Sequence, residues 1–148
     1  MRYIFFFAIL ILIISGCDDN PASPNSDTIH SGSLQYTFST PKTTYTVSDI
    51  LKANVTVLNT GSVPDTIAVG DGIFQWSLQD QNGQTIIIGG GHNDVIAITI
   101  IKPGELKKIY SINQLIADSS GKNVSPGSYI LKAKLYTSMS FSLNLMIK

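Results

Sequence analysis

The sequence predicts an all-β protein, an antiparallel two-sheet β-sandwich of about seven to eight strands occupying residues 33–148. Three observations carry that prediction. From Ser33 onward apolar residues recur at every second position in short runs, the period of strands buried on one face only. Those runs are separated by Gly, Pro and Asn turn signals, which punctuate hairpins rather than helices. The chain is 148 residues long and 43% hydrophobic, about one domain's length with enough apolar surface to form a core.

The strands follow in order. Leu34, Tyr36 and Phe38 alternate with polar neighbours, as do Leu51, Ala53, Val55 and Val57. Phe74, Trp76 and Leu78 form a third run, which makes Trp76 a core anchor between sheets. Tyr129, Leu131, Ala133 and Leu135 form another, and Phe141, Leu143, Leu145 and Ile147 the last. Asn82-Gly83, between Leu78 and Ile86, predicts a hairpin with a type I′ turn. Asn59-Thr60-Gly61, Pro103-Gly104 and Pro126-Gly127 predict further turns. Val95 to Ile101 is almost wholly apolar and reads as a strand covered on both faces. Ile112 to Ala117 (INQLIA) is the one place where a short helical turn is expected. An eight-stranded barrel is the competing architecture, disfavoured by the irregular strand spacing. A sandwich of this length has immunoglobulin size and buries about two-thirds of its unfolded surface.

The N-terminus reads as an address. Met1-Arg2-Tyr3 precedes an unbroken apolar run from Ile4 to Ile14. As a helix those residues span about 16 Å against about 30 Å of bilayer hydrocarbon. The run therefore has the length of a signal-peptide core and not of a membrane span. Ile14-Ser15-Gly16-Cys17 follows, and it resembles the bacterial lipobox: an aliphatic residue, two small residues and a cysteine. That resemblance implies cleavage between Gly16 and Cys17 and diacylglycerol attachment at Cys17, the only cysteine of the chain. Residues 1–16 are then a lipoprotein signal peptide. Residues 17–32 are the lipidated cysteine and a tether rich in Asp, Asn, Ser and Pro, too polar to order itself. Asp18 and Asp19 leave the leaflet open; the outer membrane or cell surface is favoured, with the inner membrane as the alternative.

Chemistry is sparse. Ten basic residues balance ten acidic ones, so the electrostatic footprint of nucleic-acid binding is missing. One cysteine and two histidines are too few for a disulfide framework or a Cys/His zinc site. His30 falls in the expected tether. His92 sits in Gly89-Gly90-Gly91-His92-Asn93-Asp94, a polar stretch between apolar strands. A catalytic or metal-binding histidine with Asp94 as its orienter is the sharper reading. A solvated loop tip is the plainer one, and it is preferred because nothing remains to complete a site. Asp65, Asp71 and Asp94 have no calcium-loop spacing. No catalytic residue, metal or cofactor is therefore expected.

The stretch KPGELKKIYSI…SSGKNVSPGSYILKAKL, Lys102 to Leu135, resembles the BsuPI-type intracellular proteinase inhibitor family. The features are Pro103-Gly104-Glu105 opening a strand, the Gly121-Lys122 loop, Val124, Pro126-Gly127 and Tyr129. LKANVTVLNTGSVPDTIAVGDG and the Phe74–Asp80 run with Asn82-Gly83 are similar to that family's earlier strands. The resemblance covers residues 45–136 and implies an immunoglobulin-like fold and a protein-binding role, with proteinase inhibition as its specific form. The expected function is a lipid-anchored module of the cell envelope that binds another envelope protein. Candidate contact loops are Gly70, Asp71 and Gly72, and Gly89 to Asp94 (Gly89, Gly90, Gly91, His92, Asn93, Asp94). A structural accessory subunit of an envelope complex is the alternative, and a small hydrolase using the Gly89–Asp94 loop is the weakest reading.

Overall fold

The computed structural model describes residues 25–90, 96–117, 120–136 and 138–148. The strands are β1 (Asn25–Ser31), β2 (Leu34–Thr40), β3 (Thr44–Tyr45), β4 (Ile50–Asn59) and β5 (Asp65–Val69). A 3₁₀ turn (Asp71–Ile73) leads into β6 (Phe74–Asp80). Then come β7 (Thr85–Gly90), β8 (Ala97–Ile101), β9 (Leu106–Leu115), β10 (Gly127–Leu135) and β11 (Met139–Ile147). They form a sheet of order β1-β2-β4-β9, a facing sheet of order β3-β11-β10-β6-β7, and a two-stranded ribbon of β5 and β8. Every pairing is antiparallel except the short one of β3 with β11. The fold is the all-β, immunoglobulin-like sandwich class that the alternation predicts.

The alternating apolar series of β2, β4, β6, β10 and β11 point inward. Leu34, Tyr36 and Phe38 of β2 and Leu51, Ala53, Val55 and Val57 of β4 are buried against Leu131, Ala133, Leu143 and Leu145 of the other sheet's strands. Phe38 meets Phe141 across the gap at 6.0 Å between ring centres. The Tyr129 hydroxyl donates to the Ser125 carbonyl at 2.7 Å, the tyrosine corner that locks a strand to the turn before it.

Several expectations are corrected. Residues 25–31 are not tether: they form β1, paired along its length with β2. Their polar residues suit a strand with one wet face, and Asn25 Nδ2 donates to the Asn144 carbonyl while Asp27 accepts from the Ser142 amide. The INQLIA stretch supplies no helical turn, because β9 runs through Leu115 paired to β4 and Ile112 faces the core. Val95 lies outside the described residues, and the rest of that run is not covered on both faces: Ile101 is buried, whereas Ile98 and Ile100 face solvent. Gly89 and Gly90 are strand and not loop. The Asn82-Gly83 hairpin is present, but only Gly83 has positive φ there (80°). A type I′ turn needs it at both central residues, so this is a longer turn, fixed by the Asp80 carboxylate accepting from the Asn82 and Gln84 amides. The described residues hold eleven strands against the seven to eight expected, β1 and β3 being among those that the apolar alternation does not flag.

Candidate functional site

The outer face of the five-stranded sheet carries an open groove of about 600 Å³. Its polar rows follow from strand register. Ser140, Lys134 and Gln75 lie side by side across β11, β10 and β6, and Ser142, Lys132 and Ser77 form the next row. Alternation puts these side chains outside because Ala133, Trp76 and Phe141, their neighbours in sequence, are buried. Lys132 and Lys134 are both exposed, and the one ion pair found among the described residues, Lys42 with Asp49 at 2.6 Å, lies elsewhere. The groove therefore presents two ammonium groups beside hydroxyls and an amide, chemistry suited to an acidic or hydrogen-bonding ligand surface.

One wall is β7, the last strand of its sheet among the described residues. Ile88 points outward from it, 78% exposed. Gly89 is forced by its neighbour: a Cβ there would lie 2.4 Å from Trp76 Cε2 and 2.5 Å from Cζ2 and Nε1. The indole fills the space where a side chain would be, which brings the edge strand down onto β6. Gly90 is constrained by backbone, with φ of 136° and the Phe74 carbonyl oxygen 2.7 Å from where a Cβ would lie. Both glycines serve close packing at the groove wall, a role that the Gly89-Gly90-Gly91 run disguises as loop flexibility.

A tyrosine cluster sits where the β5–β8 ribbon meets the sandwich. Tyr110 stacks on Phe74 at 4.6 Å, and its hydroxyl bonds both the Gly70 amide and the Gly70 carbonyl at 2.8 Å. Tyr136 is held in the left-handed region (φ 57°). Its amide donates to the Ile73 carbonyl and its hydroxyl to the Ala68 carbonyl, two bonds that offset the strain of that conformation. Tyr36 meets Tyr136 edge-on at 6.5 Å. Burial first, then the neighbouring Tyr136 phenol, pushes the Tyr36 hydroxyl well above the ordinary tyrosine range, and burial also raises Tyr136. Nothing in the sequence pattern flags this cluster.

The site residues named from the sequence scatter. Gly70 precedes the 3₁₀ turn that contains Asp71 and Gly72, so that segment is a turn held by Tyr110. Gly89 and Gly90 reach the groove, while Gly91, His92, Asn93 and Asp94 lie outside the described residues, as do Gly16 and Cys17. His30 is on the exposed side of β1. The Asp65 carboxylate accepts from the Ser33 hydroxyl and the Thr66 amide, which hold it below the usual carboxylate range. Among the described residues no three His, Cys, Asp or Glu side chains gather as metal ligands would.

No family model and no curated protein matches this sequence. Several solved structures are similar over part of their length. The β-glucosidase EmGH1 of Erythrobacter marinus is 16% identical with a TM-score of 0.46, over 84% of this chain and 16% of that one. A Listeria innocua β-glucosidase in complex with isofagomine is 12% identical with a TM-score of 0.47, over 82% and 16%. A β-glucosidase involved in saponin metabolism from intestinal bacteria is 14% identical with a TM-score of 0.40, over 70% and 14%. This chain spans about one-sixth of those enzymes, and likeness at this level carries nothing about its activity.

Proposed function

We propose that the chain is a lipid-anchored, non-catalytic protein-binding module of the cell envelope, attached through Cys17. The observation that carries the reading is the edge of β7, unpaired among the described residues, with exposed Ile88 beside the Lys132–Lys134 groove. An unpaired strand edge offers backbone donors and acceptors to an extended segment of another protein, and alternate side chains of that segment reach the neighbouring surface. The lysines favour acidic side chains at those positions. The lipobox resemblance supplies the anchor, and the inhibitor-family resemblance supplies a partner class, a proteinase whose substrate cleft or accessory strand the edge engages.

The test is cross-linking in native membranes followed by capture of the chain and of an Ile88→Glu, Lys132→Glu variant. Captured fractions are then assayed for envelope proteinase activity. A proteinase recovered with the parent, inactive in the complex and lost with the variant, is the expected result. Recovery only within a larger, proteolytically silent assembly favours the accessory-subunit role. Failure of the parent to recover any protein refutes the proposal.

A further inference from the structure

β10 runs down the middle of the cationic groove, and its sequence sets a spacing. Lys132 and Lys134 stand exposed on either side of buried Ala133, so both side chains leave the same face about 7 Å apart. An extended peptide presents its alternate side chains at the same repeat. Each lysine has a hydrogen-bonding neighbour on both sides: Ser140 and Gln75 beside Lys134, Ser142 and Ser77 beside Lys132. These belong to β11 and β6, each one strand spacing from β10, so the two flanking rows stand about 10 Å apart. A helix with its side chains is about 10–12 Å across, too broad to settle between the rows. A single extended chain lies between them with alternate side chains over the lysines.

Among the described residues no carboxylate answers the two lysines. Of the five strands of this sheet only β6 carries an acidic residue, Asp80. Its carboxylate accepts from the Asn82 and Gln84 amides at the hairpin turn. Asp27 of β1 reaches the edge of β11, where it accepts from the Ser142 amide at 2.9 Å. Neither lysine forms an ion pair with it or with any other described residue, whereas Lys42 is paired with Asp49. Two like charges at this spacing repel each other. A pair of carboxylates at the same spacing relieves that repulsion and adds attraction at both points.

We propose that the groove takes an extended acidic stretch of the protein partner, with carboxylates at alternate positions, laid along β10 between the Ser140–Ser142 and Gln75–Ser77 rows. The carboxylates meet Lys132 and Lys134. The hydroxyls and the Gln75 amide bond the peptide groups that an extended chain leaves unpaired. Ile88, 78% exposed at the groove wall, gives apolar contact to a neighbouring side chain of the partner. Other anions suit the groove less well. The chain has no arginine beyond Arg2, so no planar fork is available for phosphate, and two lysines attract an anionic membrane surface only weakly. Exposed charges are screened by salt, so the lysines decide which segment docks more than how tightly it is held. The inference rests on the protein-binding reading and deepens it by naming what the partner carries at the groove.

The test is a titration of the isotope-labelled full chain in zwitterionic detergent micelles, followed by amide NMR. The probes are three capped peptides: the alternating Thr-Asp-Thr-Asp-Thr, its isomer Thr-Asp-Asp-Thr-Thr, and the neutral Thr-Asn-Thr-Asn-Thr. The alternating peptide should shift the Lys132 and Lys134 amides and bind at least fivefold tighter than the isomer. Its affinity should fall at least fivefold in Lys134→Gln and stay unchanged in Lys52→Gln, an exposed lysine of β4 in the other sheet. Equal affinity for the isomer overturns the spacing argument, and equal affinity for the neutral peptide, or shifts that avoid the groove, overturns the site. Phosphatidylglycerol vesicles that shift the same amides when the peptides do not assign the lysines to lipid and also overturn it. The cross-linking capture judges the underlying reading separately. A partner recovered equally well with Lys134→Gln overturns this inference alone, whereas no partner with the parent overturns the protein-binding role on which it rests. Circular dichroism of each variant confirms that the fold is retained.

Discussion

Replacing Gly89 with alanine tests whether this residue is a packed strand position or a loop tip. The new Cβ would sit 2.4–2.5 Å from three atoms of the Trp76 indole, about 1 Å inside the usual 3.5–4.0 Å contact between carbons. The indole is 8% exposed and its β10 neighbour is Ala133, so the rigid ring or the whole edge strand must shift. Overpacking of this kind costs about 1–3 kcal/mol. Against it stands the reduced backbone freedom of alanine in the unfolded chain, worth about 0.4–1 kcal/mol. The net is a destabilisation of about 1–2 kcal/mol, or a fall in urea midpoint of about 0.5–1.5 M at a typical slope. Trp76 is the only tryptophan, so its emission follows unfolding and reports the disturbed ring directly. In a Trp76→Phe background, followed by circular dichroism, the smaller ring should relieve most of the penalty and give a coupling of the two sites. An unchanged or higher midpoint for Gly89→Ala would refute the packing argument, because a loop-tip glycine would tolerate or welcome the methyl.

Three further outcomes are expected. Asn59 is fully buried, with Nδ2 donating to the Val63 and Ile101 carbonyls and Oδ1 accepting from the Gly61 amide. Asn59→Leu strands those groups and should lower stability by about 2–4 kcal/mol in urea melts; a loss below about 1 kcal/mol would contradict the clamp. Tyr129→Phe removes the bond to Ser125 and should cost about 1 kcal/mol, read from the same melts. Tyr36 and Tyr136 have folded pKa values raised above the ordinary value near 10. Their contribution is therefore fully present below about pH 10 and lost as pH rises through the raised folded values. Urea midpoints should stay level from pH 7 to 9.5 and fall beyond pH 10, less steeply in Tyr36→Phe; equal slopes in parent and variant would exclude Tyr36 as a cause.

The core is legible because period-two alternation is a statement about which face is dry. Leu131 and Ala133 can be assigned inward without knowing what lies opposite them. Hydrogen-bonding roles are not legible in that way. The sequence places Asn59 in a turn, and its side chain does cap the Gly61 amide. Its larger work, pinning β8 through the Ile101 carbonyl, joins residues far apart in the chain and leaves no local pattern. The same limit hides Tyr110, whose hydroxyl acts on Gly70, and the pairing of the polar stretch 25–31, whose ladder uses backbone groups that every sequence has.

The apolar run at 95–101 and the glycine run at 89–91 mislead for opposite reasons, and together they locate the surface that matters. Gly89 and Gly90 carry no side chain, so a composition reading assigns them freedom, yet Trp76 and the Phe74 carbonyl occupy the space beside them. Residues 95–101 carry large side chains, so the same reading assigns them burial on both faces, yet Ile98 and Ile100 are largely exposed. Composition records how much apolar surface a segment offers and not whether its own chain supplies the cover. At about 25 cal/mol for each Å² removed from water, an uncovered isoleucine row is a standing driving force for association. The closely packed glycines of β7 and the exposed isoleucines of β8 therefore differ in kind: the first fix a strand beside a cationic groove, and the second leave an apolar row facing solvent.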